Sequence, residues 1–199
     1  MSATNTTDRT LNLSTGCAPT VWVGGTPQVW IGCMSHHNDG TLVGEWFDAI
    51  DADEVTVADV HRGSDRSGSH CEELHCFDTS GIPVSGEMSP HEAAEWARAL
   101  TSVDEHLRPA LRQWVASGDY VTEGTGDLPS ISDFEDRYCG EWDSFREYAE
   151  DLADDIGLLA GAPEVLARYF HWDAWIRDLA FDFTTAPAPA GGIFVFRNL

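Results

Sequence analysis

The stretch SFREYAEDLADDIG, residues 144–157, has the clearest helical pattern in the chain. Its apolar residues recur at the i, i+3, i+4 spacing that places side chains on one face of a helix. They are Phe145, Tyr148, Ala149, Leu152, Ala153 and Ile156. Ser144 and Glu147 stand at capping-box spacing, and Gly157 suits the position just after a helix. The stretch therefore predicts an amphipathic helix with one face on a core.

The opposite face of this predicted helix is acidic. Glu147, Glu150, Asp151, Asp154 and Asp155 follow one another at i, i+3, i+4, i+7 and i+8, and Arg146 is the only basic residue inside the helix. Like charges at these spacings destabilise a helix by roughly 0.2–0.5 kcal/mol per pair. Because such a row carries a cost in stability, we interpret it as a candidate functional surface.

The charge surplus extends beyond this helix. The chain has 199 residues and a formal net charge of −23, and residues 127–182 contain fifteen acidic and four basic residues, a net charge of −11. All eleven basic residues are Arg. A hydrophobic fraction of 42% and eight Trp indicate a chain that folds despite this self-repulsion. A G+C-rich genome or a salt-adapted host would explain the acidity without any function.

The remaining patterns predict an α+β fold, elongated, with three small domains in series. We expect a flexible tail at residues 1–20, an N-terminal domain with an antiparallel sheet at 21–86, a middle helical domain at 87–129 and a C-terminal α+β domain at 130–199. The predicted strands are residues 27–35, 41–50, 73–77 and 193–196. The other predicted helices are residues 90–101, 104–117 with a kink or boundary at Pro109, 163–170 and 173–181. Residues 51–59 are expected to form a short acidic helix or a loop.

Several function classes find little support in the sequence. No apolar run approaches the ~20 residues of a membrane span, and the N-terminus lacks the order of a signal peptide. The five Cys residues are scattered and odd in number, which favours reduced thiols in a cytoplasmic protein. His70, Cys71, His75 and Cys76 are loosely zinc-like, but they lack a C-x-x-C motif and a second distant pair. Glu141 and Asp143 could be the acid–base pair of a hydrolase, but two neighbouring acids are expected by chance in so acidic a chain and the sequence indicates no pocket. Trp96, Trp114, Trp142, Trp172 and Trp175 are expected to anchor the core.

The spacing of the acidic residues is comparable with that of DNA phosphates. Duplex DNA carries one negative charge per ~1.7 Å of axis, and carboxylates along a helix that rises ~1.5 Å per residue approach that density. A groove built of Lys and Arg reads phosphate charge without regard to sequence. The row therefore suggests a DNA mimic, whereas a solvated acidic face is the simpler alternative.

Four segments of the chain resemble the ArdA family of antirestriction proteins, in the order and spacing of that family. Residues 28–49 contain an Asn-x-Gly turn and the pattern G-x-W-x-D-A, and residues 72–83 contain E-E-x-x-x-x-D-x-x-G-x-P. Residues 138–159 resemble the family's antirestriction segment, and residues 169–179 are similar to its Y-x-x-x-A-x-x-R-D-L. The closing FVFRN is also family-like. The chain departs from the pattern in its long N-terminal tail, in Cys76 after His75, and in Trp172 and Trp175.

The resemblance implies an inhibitor of type I restriction-modification enzymes that acts as a homodimer, carries no cofactor, performs no catalysis and belongs to mobile genetic elements. It implies binding to the DNA-recognition and methyltransferase core of the enzyme, with no direct binding of nucleic acid and no membrane association. The marker residues of its antirestriction segment are Tyr138, Gly140, Glu141, Ser144, Tyr148 and Leu152. The predicted DNA-mimic surface is formed by Asp133, Glu135, Asp136, Glu141, Asp143, Glu147, Glu150, Asp151, Asp154, Asp155, Asp173 and Asp178. The alternative is an acidic adaptor or zinc-linked regulator without DNA mimicry.

Overall fold

The structure is a computed structural model that describes residues 25–66, 68, 70–124 and 126–198. The predicted tail at residues 1–20 lies outside the described residues. Two small antiparallel sheets and several helices follow one another along the chain, which confirms the predicted α+β class. Within the described part of the chain, no helix is both long and apolar enough to cross a membrane.

The N-terminal part is built around a three-stranded sheet. Its elements are β1 (Gln28–Cys33), α1 (Met34–Asn38), β2 (Gly44–Asp48), a 3-10 helix (Ala49–Glu54), α2 (Val57–His61) and β3 (Leu74–Ser80). The strand order is β2-β1-β3, so β1 is central and buries Val29, Ile31 and Cys33 on one face. A side chain at Gly44 would lie 2.5 Å from the Trp30 ring, so this close approach requires glycine.

The predicted hairpin is present, with one correction. The chain leaves β1 as the short helix α1, not as a strand continuing to Ser35, and Gly40 follows it with a positive φ of 74°. The amide N–H groups of Gly40 and Thr41 donate to the carbonyls of His37 and His36. These hydrogen bonds satisfy carbonyl groups at the end of α1. The Asn-Asp-Gly segment therefore ends a short helix and does not directly follow a strand.

The middle part contains two helices, of which the first begins where the sequence predicts and the second begins at Arg108, four residues after the predicted start. They are α3 (Pro90–Ser102) and α4 (Arg108–Ser117), with a 3-10 helix (Glu105–Leu107) between them. The Ser89 side chain accepts a hydrogen bond from the Glu92 amide at 3.1 Å and caps α3. Pro109 lies in the first turn of α4, where its missing N–H is not needed, so it marks a boundary and not a kink. Arg98 donates to Asp53 at 2.8–2.9 Å and links α3 to the 3-10 helix at 49–54.

The C-terminal part contains three elements that the sequence patterns did not predict. Its elements are α5 (Ile131–Arg137), β4 (Tyr138–Trp142), α6 (Phe145–Asp155), α7 (Glu164–Arg168), α8 (Trp172–Leu179), a 3-10 helix (Ala180–Asp182), β5 (Phe183–Pro187) and β6 (Ile193–Arg197). The sheet order is β4-β6-β5. Both α5 and β4 escaped prediction, as did β5, because each is short. Moreover, a register shift at Gly140 breaks the alternation of β4.

The apolar core is continuous from the first sheet to the second. It contains Val29 and Ile31 of β1, Trp96 of α3, Trp114 of α4, Phe134 of α5 and Phe196 of β6. The Trp114 ring centroid lies 5.8 Å from that of Phe134 and 6.4 Å from that of Phe196. The predicted domain limits near residues 86 and 129 stay predictions. Apolar side chains from both sides of each limit pack in the same core.

Two of the five predicted Trp anchors lie in this core. Trp96 and Trp114 are buried, as expected. Trp142, Trp172 and Trp175 are half-buried, which corrects the expectation for these three. Trp172 and Trp175 pack on Phe170, with ring centroids 5.0 Å and 6.2 Å away. They form an aromatic cluster near the surface, because the short helix α8 buries no residue completely.

Replacement of Phe134 by Ala should lower the free energy of unfolding by about 3–5 kcal/mol, because a fully buried ring is removed from between Trp114, Tyr138 and Phe196. Urea unfolding followed by Trp fluorescence measures this loss. The control, Phe181→Ala, removes a ring that is 78% exposed and should change stability by less than about 0.5 kcal/mol. Equal losses in both variants would contradict the position of Phe134 in the core.

Candidate protein-binding surface

Helix α6 is bounded by the residues that the sequence indicates. The Ser144 side chain accepts a hydrogen bond from the Glu147 amide at 3.2 Å. The Glu147 carboxylate accepts one from the Asp143 amide at 2.9 Å, one residue earlier than in a standard capping box. At the other end, Gly157 has a φ of 64°, and the Gly157 and Leu158 amides donate to the carbonyls of Asp154 and Ala153. This is a Schellman motif, which stops the helix at Asp155.

The apolar face of α6 packs on the C-terminal sheet. Tyr148, Ala149 and Ala153 are buried, and the Tyr148 ring centroid lies 5.1 Å from that of Phe183 and 5.5 Å from that of Trp142. Burial raises the pKa of the Tyr148 hydroxyl, and the neighbouring Cys139 raises it further. The predicted apolar stripe is one residue too long: Ile156 is 60% exposed, because the helix ends before it.

The acidic face of α6 consists of Glu147, Glu150, Asp151, Asp154 and Asp155, and all five are exposed. It lies opposite the buried stripe, so the carboxylates point away from the core. Asp151, Asp154 and Asp155 make no ion pair with any described residue. These three carboxylates lie within little more than one turn of the helix, and no described cation pairs with them.

One arginine connects this face to a neighbouring helix. Arg146 pairs with Glu150 at 3.1 Å and also binds Asp173 on α8. Its hydrogen bonds to Glu150 and Asp173 raise the pKa of Arg146. The sequence indicates that Arg146 lies inside the helix but does not reveal its contact with Asp173, because the two residues are far apart in the chain. Glu150 and Asp173 are therefore partly compensated members of the predicted surface.

The other predicted acidic residues lie on α5, in and just after β4, and on α8. Glu141, Asp143 and Glu147 line one shallow depression with Trp142. Glu135 and Asp136 are exposed on α5, and Asp178 on α8 pairs with Arg177 at 3.1 Å. The exception is Asp133, which is half-buried, accepts from the Ser130 hydroxyl at 2.6 Å and lies 3.8 Å from Arg137. Asp133 has a structural role at the start of α5 and is a poor candidate for the exposed surface.

The marker residues of the predicted antirestriction segment connect the core to this acidic surface. The Tyr138 ring stacks on Phe134 with centroids 5.6 Å apart, and burial raises the pKa of its hydroxyl. Gly140 has a φ of 105° and forms the bulge after which Glu141 points outward. A side chain at Gly140 would meet the Trp142 ring nitrogen at 3.1 Å. Leu152 is half-buried on α6 between the acidic residues and the core.

The structure does not bring together the zinc-like set that the sequence suggested, and the large cavity lies away from the suggested acid–base pair. His70 is exposed, His75 lies 3.7 Å from Glu87, and Cys76 is buried on β3, where burial raises the pKa of its thiol to about 12. These residues do not converge with Cys71, whose Sγ atom lies beside His36 instead. A cavity of about 700 Å³ lies beside the first sheet and α4, and it does not include Glu141 or Asp143.

Comparison with protein families agrees with this arrangement. The model of the ArdA antirestriction proteins matches residues 29–193, from β1 to the first residue of β6. The chain belongs to the ArdA family of antirestriction proteins. No curated protein matches it significantly. The ArdA match includes nearly all of the first sheet, strands β4 and β5 of the second, the described helices α1 to α8 and the whole acidic face of α6.

Replacement of Ser144 by Ala in this ArdA chain should lower the free energy of unfolding by about 1 kcal/mol, because the Glu147 amide loses its cap at the start of α6. Chemical denaturation followed by circular dichroism measures the change. Ser85→Ala is the control, since Ser85 is exposed in a loop and caps no helix. An unchanged midpoint for Ser144→Ala would show that the helix does not depend on this cap.

Proposed function

We propose that this protein inhibits type I restriction-modification enzymes by placing its acidic surface in their DNA-binding groove. The observation that carries the proposal is the acidic face of α6, five exposed carboxylates in one row, inside the segment that the ArdA family model matches. The buried opposite face of the same helix fixes this row on the C-terminal sheet. The anions are therefore presented by a packed element and not by a loop.

The charge spacing supports imitation of a polynucleotide. From Glu147 to Asp155 the helix axis rises about 12 Å, so five carboxylates give one charge per about 2.4–3 Å. DNA carries one charge per ~1.7 Å for the duplex and one per ~3.4 Å for each strand. The density on α6 lies between these two values. Exposed acids on α5, in the β4–α6 connection and on α8 extend the same surface.

The expected partner is a basic groove that holds phosphates. Such a groove gains affinity from Lys and Arg charge without reading base sequence, so fixed carboxylates can take the place of the backbone. Complementary charge also makes association fast and sensitive to salt. The net charge of −23 opposes direct binding of nucleic acid by the protein itself. The DNA-recognition and methyltransferase core of a cytoplasmic type I enzyme meets this description.

The joint replacement Glu150→Gln, Asp151→Asn, Asp154→Asn and Asp155→Asn should weaken inhibition of DNA cleavage at least tenfold. The change removes four charges from the row, while loss of the exposed Arg146–Glu150 pair costs at most about 1 kcal/mol. The measurement is the concentration of protein that halves cleavage by a purified type I enzyme, at low and at high salt. The parent should lose potency as salt rises, and the variant should lose less.

A matched control removes the same charge from the N-terminal part of the chain. Glu45→Gln, Asp51→Asn, Asp65→Asn and Glu72→Gln together also change the net charge from −23 to −19, at four exposed sites. This control should inhibit nearly as well as the parent. Equal potency of the two variants would show that inhibition depends on the total charge of the protein and not on the acidic face of α6. Binding of the parent to the enzyme without displacement of DNA would favour an acidic adaptor.

We further propose that the protein is a homodimer in which α7 contacts a second copy. Val165 and Leu166 are each 64% exposed and Tyr169 is 80% exposed, and their helical spacing places them within one arc of about 100°. Exposed apolar groups of this kind are unexpected beside so much charge unless a partner covers them. The pair Arg168–Glu164, 3.0 Å apart, borders the apolar residues and would form a polar rim.

The double replacement Leu166→Ser and Tyr169→Ser should raise the dimer dissociation constant at least tenfold, because it removes two of the three exposed side chains of the apolar arc. Sedimentation equilibrium of parent and variant measures the constant. Leu42→Ser, at a residue that is 74% exposed in the N-terminal part, is the control and should leave association unchanged. A monomeric parent, or a dimer that tolerates the double replacement, would contradict the assignment of α7.

A further inference from the structure

Four potential metal ligands converge between the first sheet and helix α2. Cys33, His36, His61 and Cys71 each offer one ligand atom, and these atoms all lie within 4.8 Å of one another. The His36 Nδ1 atom is 3.3 Å from the Cys33 Sγ atom and 3.4 Å from the Cys71 Sγ atom. Tetrahedral zinc with Zn–S of about 2.3 Å and Zn–N of about 2.0 Å places sulfur and nitrogen ligands about 3.5 Å apart. The observed separations fit that geometry.

The fold brings the four residues together from separate places in the chain. Cys33 ends β1, His36 follows within α1, His61 is the last residue of α2, and Cys71 precedes β3. The four include one buried thiol and three half-buried side chains, so the group is shielded yet near the surface. The sequence pattern is Cys-x2-His and then His-x9-Cys, with 24 residues between the two pairs.

The orientation of His61 is the second observation that points to a ligand. Its Nδ1 atom lies 3.2 Å from the backbone carbonyl of Arg66, so Nδ1 carries the proton and donates to that oxygen. The other ring nitrogen, Nε2, is buried and has no hydrogen-bond partner among the described residues. A buried acceptor without a partner is costly. A metal-binding His has this arrangement, with one nitrogen held by a carbonyl and the other directed at the ion.

We infer that Cys33, His36, His61 and Cys71 form a structural zinc site. Two sulfur and two imidazole ligands suit Zn²⁺, whereas Mg²⁺ and Ca²⁺ prefer oxygen. Four protein ligands leave no open position for water or substrate, as in zinc sites that stabilise a fold. Two thiolates balance the charge of the ion, so the site requires no compensation from the rest of this acidic chain.

The site would join the connection between α2 and β3 to the end of β1, the central strand of the first sheet. Residues 62–73 contain no helix or strand in their described part, and the Gly68 carbonyl accepts from the Cys71 amide at 3.0 Å. Gly68 also packs on the His61 ring, where a Cβ would lie 3.2 Å from two ring carbons. Coordination would therefore hold this connection against the first sheet. It is independent of the acidic face of α6 in the C-terminal part.

Metal analysis of the full-length protein tests this inference. Protein purified without chelator under reducing conditions should contain about one zinc ion per chain. Cobalt in its place should give the intense visible bands of tetrahedral coordination and a thiolate-to-metal charge-transfer band. Cys71→Ser and His61→Asn should each lower zinc occupancy at least tenfold. A chelator should lower the melting temperature of the parent.

The controls separate the site from its neighbours and from the proposed function. His70→Asn changes the exposed residue beside Cys71, and Cys139→Ser removes a thiol in the second sheet, so both should keep zinc. If Cys71→Ser does not fold, the zinc content and cobalt spectrum of the parent still decide the matter. Parent protein without bound zinc after reconstitution, or with a Cys33–Cys71 disulfide, would overturn the site. Neither result depends on the cleavage assay.

Discussion

Repulsion among carboxylates is the constraint on which this structure depends. With 34 acidic residues against eleven arginines, charge alone opposes any compact state. The opposing contribution is burial of large apolar side chains, above all Trp96, Trp114, Phe134 and Phe196. Helix α6 combines both effects in one element, because Tyr148 and Ala149 are buried on one side and the carboxylates repel one another on the other. The acidic row can exist as an ordered surface only because of that buried stripe.

The few arginines connect elements and leave most of the acidic surface uncompensated. Arg98 joins α3 to the 3-10 helix at 49–54 through Asp53, and its hydrogen bond holds the pKa of that carboxyl below the usual value. Arg146 joins α6 to α8. Arg112 is buried, donates to the Gly81 carbonyl at 2.7 Å, and has its pKa lowered to about 10 by burial. These arginines each bind a group on another element, whereas Asp151, Asp154 and Asp155 make no ion pair with any described residue.

Local signals predicted the longer helices well, whereas the short helices α1 and α5 were missed and the sheets were predicted only in part. The caps at Ser89 and Ser144, the first-turn Pro90 and the terminating Gly157 act within a few residues, so the sequence shows them directly. Strands β4 and β5 were missed, since each is defined by pairing with β6. For β4 that partner lies more than fifty residues away. The family resemblance identified the segment at residues 138–159 but could not show that its Gly140 forms a bulge.

The sequence by itself determined the surplus of negative charge, the two-faced pattern of α6 and the membership of the ArdA family. Each of these is encoded in composition or in residues within a few helical turns of one another. Only the tertiary structure decided that Arg146 binds Asp173, that Asp133 serves as a cap partner, and that four potential metal ligands meet. Such contacts arise when the core packs distant segments together, so spacing along the chain does not reveal them.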